Sequence, residues 1–191
     1  MSVYPLVLFL HIIAALGLFA AIGLEWAGLV NLRRAATAGQ AREWARLLGA
    51  LRAVGMPSVL LILASGIYMM ATRWGGQAWI GAAFGGIVLM AVLGGAVTGR
   101  RVGPLVRAAR KEEGPVSGEL AARLRDPFLL GSLCLRTAIG LGIVFLMTLK
   151  PAASGALATM AAALVLGLAA GFLTRSRGRR PLAMAPHASE S

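Results

Sequence analysis

An arginine, Arg136, lies in the middle of an apolar run that is long enough to cross a lipid bilayer. A guanidinium at the centre of a membrane helix costs roughly 2.5 kcal/mol or more on insertion scales, so it normally has a polar partner. The other ionisable side chains within apolar runs are Glu25 and His11. The chain is therefore expected to place Arg136 inside a bundle of helices, where such a partner or water can reach it.

Five apolar runs are each close to the ~20 residues that cross a hydrocarbon core. Helices are expected for all of them, because a backbone in lipid has to satisfy its own polar groups. The predicted spans cover residues 4–30, 53–72, 77–98, 128–149 and 151–174. The predicted fold is an all-α polytopic membrane bundle of five transmembrane helices. A disordered basic tail is predicted over residues 175–191.

The basic residues predict how this bundle is oriented. Segment 32–54 holds five Lys or Arg, segment 99–127 holds seven, and the residues after Thr174 hold four. With five spans these segments share one side, and only Arg73 and Lys150 lie on the other. The positive-inside rule then predicts an outside N-terminus and a cytoplasmic C-terminus. The net charge of +12 follows from these orientation signals and does not indicate nucleic-acid binding.

Glu25 is the predicted partner of Arg136. His11 and Glu25 are 14 residues apart, so they differ by about 40° around a helix and by about 21 Å along it. They share a face that should point into the bundle, and Arg136 is expected near the level of Glu25. One interpretation is an ion pair that fixes helix register. The other is that Glu25 reaches the headgroups while Arg136 bonds carbonyls or water.

Soft ligands are predicted to gather near the outer end of the bundle. Met69, Met147 and His11 all fall in the outer third, and Ser65 shares a face with Met69. Imidazole and thioether groups suit Cu(I) and haem iron. The alternative is structural: methionine is an adaptable packing residue, and a lone histidine can bond across helices. A bis-His haem within one chain is excluded, because His11 is the only histidine in a span.

Motifs for catalysis are absent from the sequence, which argues against an enzyme. We find no HExxH, P-loop or nucleophile elbow, and the single cysteine, Cys134, forms no CxxC pair. Small residues recur at helical spacing in Gly81/Gly85 and Gly167/Gly171. Such faces let helices approach closely. They predict packing within the chain first, and contact with a second copy or another membrane protein second.

Three segments carry a family resemblance: LHIIAALGLFAAIGLEW, SGIYMMATRW and FLMTLKP. They resemble a family of small bacterial integral membrane proteins of unknown function, similar to the membrane domain of copper-resistance D proteins. The resemblance covers most of residues 4–151, and only His11 carries over as a position. It implies a multi-pass protein of the bacterial cytoplasmic (inner) membrane, with copper passage or haem b binding as the suspected role.

Two main hypotheses of function follow. In the first, an outer-side site of His11 with Met69 or Met147 binds or passes copper or haem. In the second, the protein is a non-catalytic structural or accessory membrane subunit, whose polar residues only fix the packing of helices in the lipid bilayer.

Overall fold

A computed structural model describes residues 3–177, which are almost entirely helical. Within these residues the chain forms eight α-helices and two short π-helical segments. In chain order they are α1 (Tyr4–Arg34), α2 (Ala38–Ala50), α3 (Arg52–Met69), π1 (Met70–Trp74), α4 (Ala78–Val92), π2 (Leu93–Thr98), α5 (Gly99–Lys111), α6 (Gly118–Leu124), α7 (Pro127–Leu149) and α8 (Ala153–Arg177). Most of the predicted tail, residues 178–191, lies outside the described part.

Five helical stretches are long and apolar enough to cross a membrane, which confirms the predicted all-α bundle of five transmembrane helices. They are Tyr4–Arg34, Ala38–Trp74, Ala78–Lys111, Gly118–Leu149 and Ala153–Arg175. We name the two ends of the bundle by their residues. The Tyr4 end is where α1 begins, and the basic end is where α2, α5 and α6 lie.

Several helices continue beyond the predicted spans. The first reaches Arg34 instead of ending near residue 30, and the third passes from α4 through π2 into α5. The sequence of α5 explains this, because it is amphipathic and buries Val102, Leu105 and Ala109. A helix that leaves the hydrocarbon can persist when an apolar face packs on a neighbour. Here that neighbour is α2.

Four helices surround the interior of the bundle. The most extensive contacts join α1 to α3 and α7 to α8, while α4 also packs on α7. The middle of α7 is fully enclosed, with Leu133, Ile139 and Leu146 each 0% exposed. Helix α8 lies outside this ring, against α7 and α4. Its outer face leaves Leu157 70% exposed, as expected of a side chain that faces lipid.

Glycines bring α8 close to α7. A Cβ added at Gly167 would lie 2.8 Å from the Leu135 Cα, and one at Gly171 would lie 3.0 Å from the Gly131 Cα. These distances are too short for any larger residue without movement of the backbone. The predicted small-residue face of α8 is therefore used within the chain. Gly81 and Gly85 on α4 have nothing within 4 Å.

The basic end is capped by short helices rather than by loose loops. Helix α2 crosses α5, and the Arg42 guanidinium donates hydrogen bonds to the carbonyls of Ala109 and Glu112. These bonds satisfy carbonyls at the end of α5 that have no partner within the helix. The backbone N–H of Ala38 also donates to the Gly114 carbonyl at 2.9 Å. The two basic segments are thus held together at one end of the bundle.

Candidate functional site

An ion pair joins α1 to α7 inside the bundle. Arg136 Nη1 lies 2.8 Å from Glu25 Oε1, and the two side chains are 11% and 13% exposed. Such burial makes the contact costly to break, because either charge left alone would lack solvation. The structure therefore brings together the two residues that sequence analysis placed at one level.

A second polar contact lies beside the ion pair. The Trp26 indole donates to Thr137 Oγ1 at 3.0 Å, and the Thr137 hydroxyl donates to the Leu133 carbonyl at 2.8 Å. Because Trp26 follows Glu25 and Thr137 follows Arg136, two neighbouring bonds connect the same helices. Hydropathy and periodicity gave no signal for this bond. It depends on which way the indole turns between two packed helices.

Gly94 makes room for the arginine. A Cβ added there would lie 3.2 Å from Arg136 Cζ and 3.4 Å from its Nε. Gly94 belongs to π2, where the α-helical hydrogen-bond pattern widens. Segments of this kind occur often at functional sites. The guanidinium thus rests against the π2 backbone while it bonds Glu25.

His11 bonds a serine of α3. Its Nδ1 lies 2.8 Å from Ser65 Oγ. The Ser65 hydroxyl in turn donates to the Leu61 carbonyl, with the Ile62 carbonyl further away at 3.2 Å. When the single hydrogen of the Ser65 hydroxyl is bonded to the Leu61 carbonyl, Ser65 accepts from His11. In that arrangement Nδ1 is the protonated nitrogen, and Nε2 carries the lone pair.

A large cavity of about 620 Å³ opens between α1, α3, α4 and α7 toward the Tyr4 end. Its wall is mainly apolar, and it includes His11, Met69 and Met147. The three candidate metal or haem ligands therefore line one space. The described residues contain no group of three or more His, Cys, Asp or Glu side chains placed to hold a metal ion.

Aromatic rings and cations lie together at the Tyr4 end of the large cavity. The Trp74 indole donates to the Tyr4 hydroxyl at 3.1 Å, while Lys150 Nζ lies 4.2 Å from the centre of the Trp74 ring. Arg73 Cζ lies 5.2 Å from the centre of the Tyr4 ring. Cations over aromatic faces are held by the ring quadrupole. The two basic residues of the Tyr4 end are thus fixed beside the opening.

A small cavity of about 250 Å³ lies toward the basic end. Glu25, Arg136 and Thr98 are among its lining residues. Leu18 and Met90 line both this cavity and the large one. These two side chains are 6% and 3% exposed, and the two cavities share them as part of their walls. The bundle therefore holds two compartments of different chemistry.

Comparisons with known proteins give no relative for this chain. No family model, no curated protein and no solved structure matches it significantly.

Substitution of Gly94 tests how closely the Arg136 guanidinium packs against π2. We expect Gly94→Ala to lower the free energy of unfolding by about 1–3 kcal/mol, because the new methyl displaces the guanidinium from Glu25. Gly95→Ala is the matched control, since nothing lies within 4 Å of that position. It should be neutral or stabilising by up to about 1 kcal/mol, as alanine is favoured over glycine in helices. The free energy of unfolding of each variant is measured in mixed detergent micelles. Equal stability of the two variants would contradict a close contact between Gly94 and the Arg136 guanidinium.

Proposed function

We propose that this membrane protein binds haem b in the large cavity, where His11 Nε2 would ligate the iron. The observation that carries the proposal is the bond from His11 Nδ1 to Ser65. Histidines that bind metals almost always donate their other ring N–H to a fixed acceptor, which sets the tautomer and the ring orientation. Ser65 supplies that acceptor when its own hydrogen is bonded to the Leu61 carbonyl.

The size and polarity of the large cavity support a ligand larger than a bare ion. Sites for cofactors usually have volumes of about 300–1,000 Å³ and apolar walls with a few polar groups. The cavity has about 620 Å³ and fits this description. Met69 or Met147 could supply a thioether as a further ligand, and ligation by histidine and methionine is found in electron-transfer cytochromes. When bound, haem would supply reversible one-electron chemistry within the membrane.

The mouth of the cavity suits the acidic groups of such a ligand. Lys150 lines the cavity and Arg73 lies beside it, over the Tyr4 ring. A cation near the opening favours carboxylates there, while the apolar body of the ligand is buried. Tyr4 also lines the cavity and has a hydroxyl available for hydrogen bonding. These residues would hold and orient the ligand, and they would exclude water from its apolar part.

Copper is the second candidate ligand, since imidazole and thioether groups suit Cu(I). A copper site would require His11, Met69 and Met147, which line the same cavity, to bind one ion together. The volume of the cavity favours haem over this arrangement. The family resemblance to copper-resistance D proteins stays a prediction. A protein that takes up neither ligand would instead fit the role of a structural or accessory subunit.

Haem binding is tested with protein purified without a polyhistidine tag. We expect titration with haem to give a saturable Soret band, and His11→Ala to abolish it through loss of the axial ligand. Ser65→Ala should weaken binding about 10–100-fold, as is typical when the partner of a liganding histidine is removed. The matched control is His187→Ala, which removes the other histidine of the chain.

Two results would overturn this function. Haem binding that survives His11→Ala would exclude His11 as the ligand. Protein that binds no haem but takes up Cu(I) from a competing chelator, dependent on His11, would replace haem by copper.

We also propose that the basic end faces the cytoplasm, in accord with the positive-inside rule. A fluorescent protein fused after residue 191 should then be fluorescent in bacterial cells, while alkaline phosphatase at the same place should be inactive. A reporter inserted in the short link between α7 and α8 should behave in the opposite way. Active phosphatase at the C-terminus would contradict this orientation and place the large cavity on the cytoplasmic side.

A further inference from the structure

The small cavity carries an unbalanced positive charge. Its charged lining residues are Glu25, Arg52 and Arg136. Glu25 is matched by Arg136 in the ion pair. Arg52 is exposed and makes no hydrogen bond or ion pair with other residues of the described range 3–177. One guanidinium at this cavity thus remains without a counter-charge from the protein.

Two residues that line the small cavity each have a buried polar atom without a partner. Arg136 Nε and Thr98 Oγ1 are both shielded from solvent, and neither has a hydrogen-bond partner within residues 3–177. Arginine has five N–H donors, and only one of those of Arg136 is used on Glu25. Buried polar groups are almost always satisfied in native structures, so each exception calls for an explanation. Four such atoms occur within residues 3–177, and the other two, Arg33 Nη1 and Ser132 Oγ, belong to residues outside this cavity.

The backbone around these donors is open. Gly94 and Gly95 of π2 line the small cavity, and nothing lies within 4 Å of a Cβ added at Gly95. The Arg52 guanidinium lies beside Gly99, just after π2. Small residues therefore leave space along the segment that lies beside both guanidinium groups. The remaining wall is largely apolar, with Leu18, Val59 and Met90 among its members.

We propose that the small cavity is a binding site for a small monovalent anion of the halide class. A bound anion would neutralise the charge of Arg52. The same anion could accept hydrogen bonds from Arg136 and Thr98 after small shifts of their side chains. Water could satisfy the donors, whereas an anion would also offset the net positive charge of the lining residues. Apolar walls favour a weakly hydrated anion, since little hydration is lost on entry. The site differs from the haem site in position and chemistry, because Leu18 and Met90 lie between them.

The first test compares halide with a bulky anion at constant ionic strength. Purified protein in a neutral detergent is unfolded thermally in sodium gluconate with increasing fractions of sodium bromide or chloride. A ligand that binds only the folded state makes Tm rise with its concentration. We expect such a rise for the wild type, and a much smaller one for Arg52→Gln. Arg46→Gln is the matched control, because Arg46 is exposed on α2 and lies outside the cavity.

The Thr98→Val variant separates an anion site from a dry or water-filled cavity. If an anion accepts from the hydroxyl, valine should weaken the rise of Tm with halide. If the hydroxyl is merely unsatisfied, valine should raise Tm equally in both salts, since a buried donor without a partner has been removed. Anomalous scattering from bromide in crystals should locate the ion beside Arg52.

Equal Tm values in halide and gluconate would overturn the proposal. An equal response of wild type and Arg52→Gln would overturn it too, since that would mark a general salt effect. These readouts use protein without haem, so they stand or fall independently of His11 and the large cavity.

Discussion

The ion pair between Glu25 and Arg136 is the contact on which the arrangement of the bundle depends. Lipid offers neither charge a substitute partner, so α1 and α7 are constrained to the register in which the two side chains meet. The bond between Trp26 and Thr137 fixes the same register one residue further along. Gly94 adds π2 to the segments that are positioned by this contact, because π2 lies close against the Arg136 guanidinium. Three separate segments are thus positioned around one buried arginine.

This register also divides the interior into two spaces. The large cavity holds an imidazole, thioethers and aromatic rings, while the small cavity holds guanidinium, carboxylate and hydroxyl groups. Leu18 lies between them on α1, two turns from each of His11 and Glu25. Met90 completes the layer from α4. A soft, apolar ligand and a small anion would therefore bind at different levels without competing for the same groups.

Hydropathy and charge were sufficient to predict the number of transmembrane helices. Each apolar run is long, and the basic segments between the runs alternate as five spans require. The meeting of Glu25 with Arg136 was also within reach of the sequence, because so few polar groups are available in hydrocarbon. Helical periodicity put both on inward faces, and the length of arginine covers the remaining difference in depth.

Other features could not be predicted, since they arise from the packing of specific neighbours. The π-helical segments that follow α3 and α4 are marked by no residue pattern. The bond from His11 to Ser65 requires the relative rotation of α1 and α3. The cavities depend on gaps among four helices, and Thr98 gains importance only through its position on one of them. Hydropathy placed the end of the third span at residue 98, whereas the helix continues beyond it as the charged, amphipathic α5.

The central claim is that Glu25 and Arg136 act as one buried unit that sets the helix register. A double-mutant cycle of Glu25→Gln and Arg136→Gln, measured by unfolding in mixed micelles, tests it most directly. Each single variant leaves a buried charge alone and should cost about 3–5 kcal/mol. The double variant should cost clearly less than the sum, whereas the exposed pair Glu119–Arg123, with side chains 77% and 51% exposed, should couple by only about 0.3–0.5 kcal/mol. Additive effects at Glu25 and Arg136 would contradict the account.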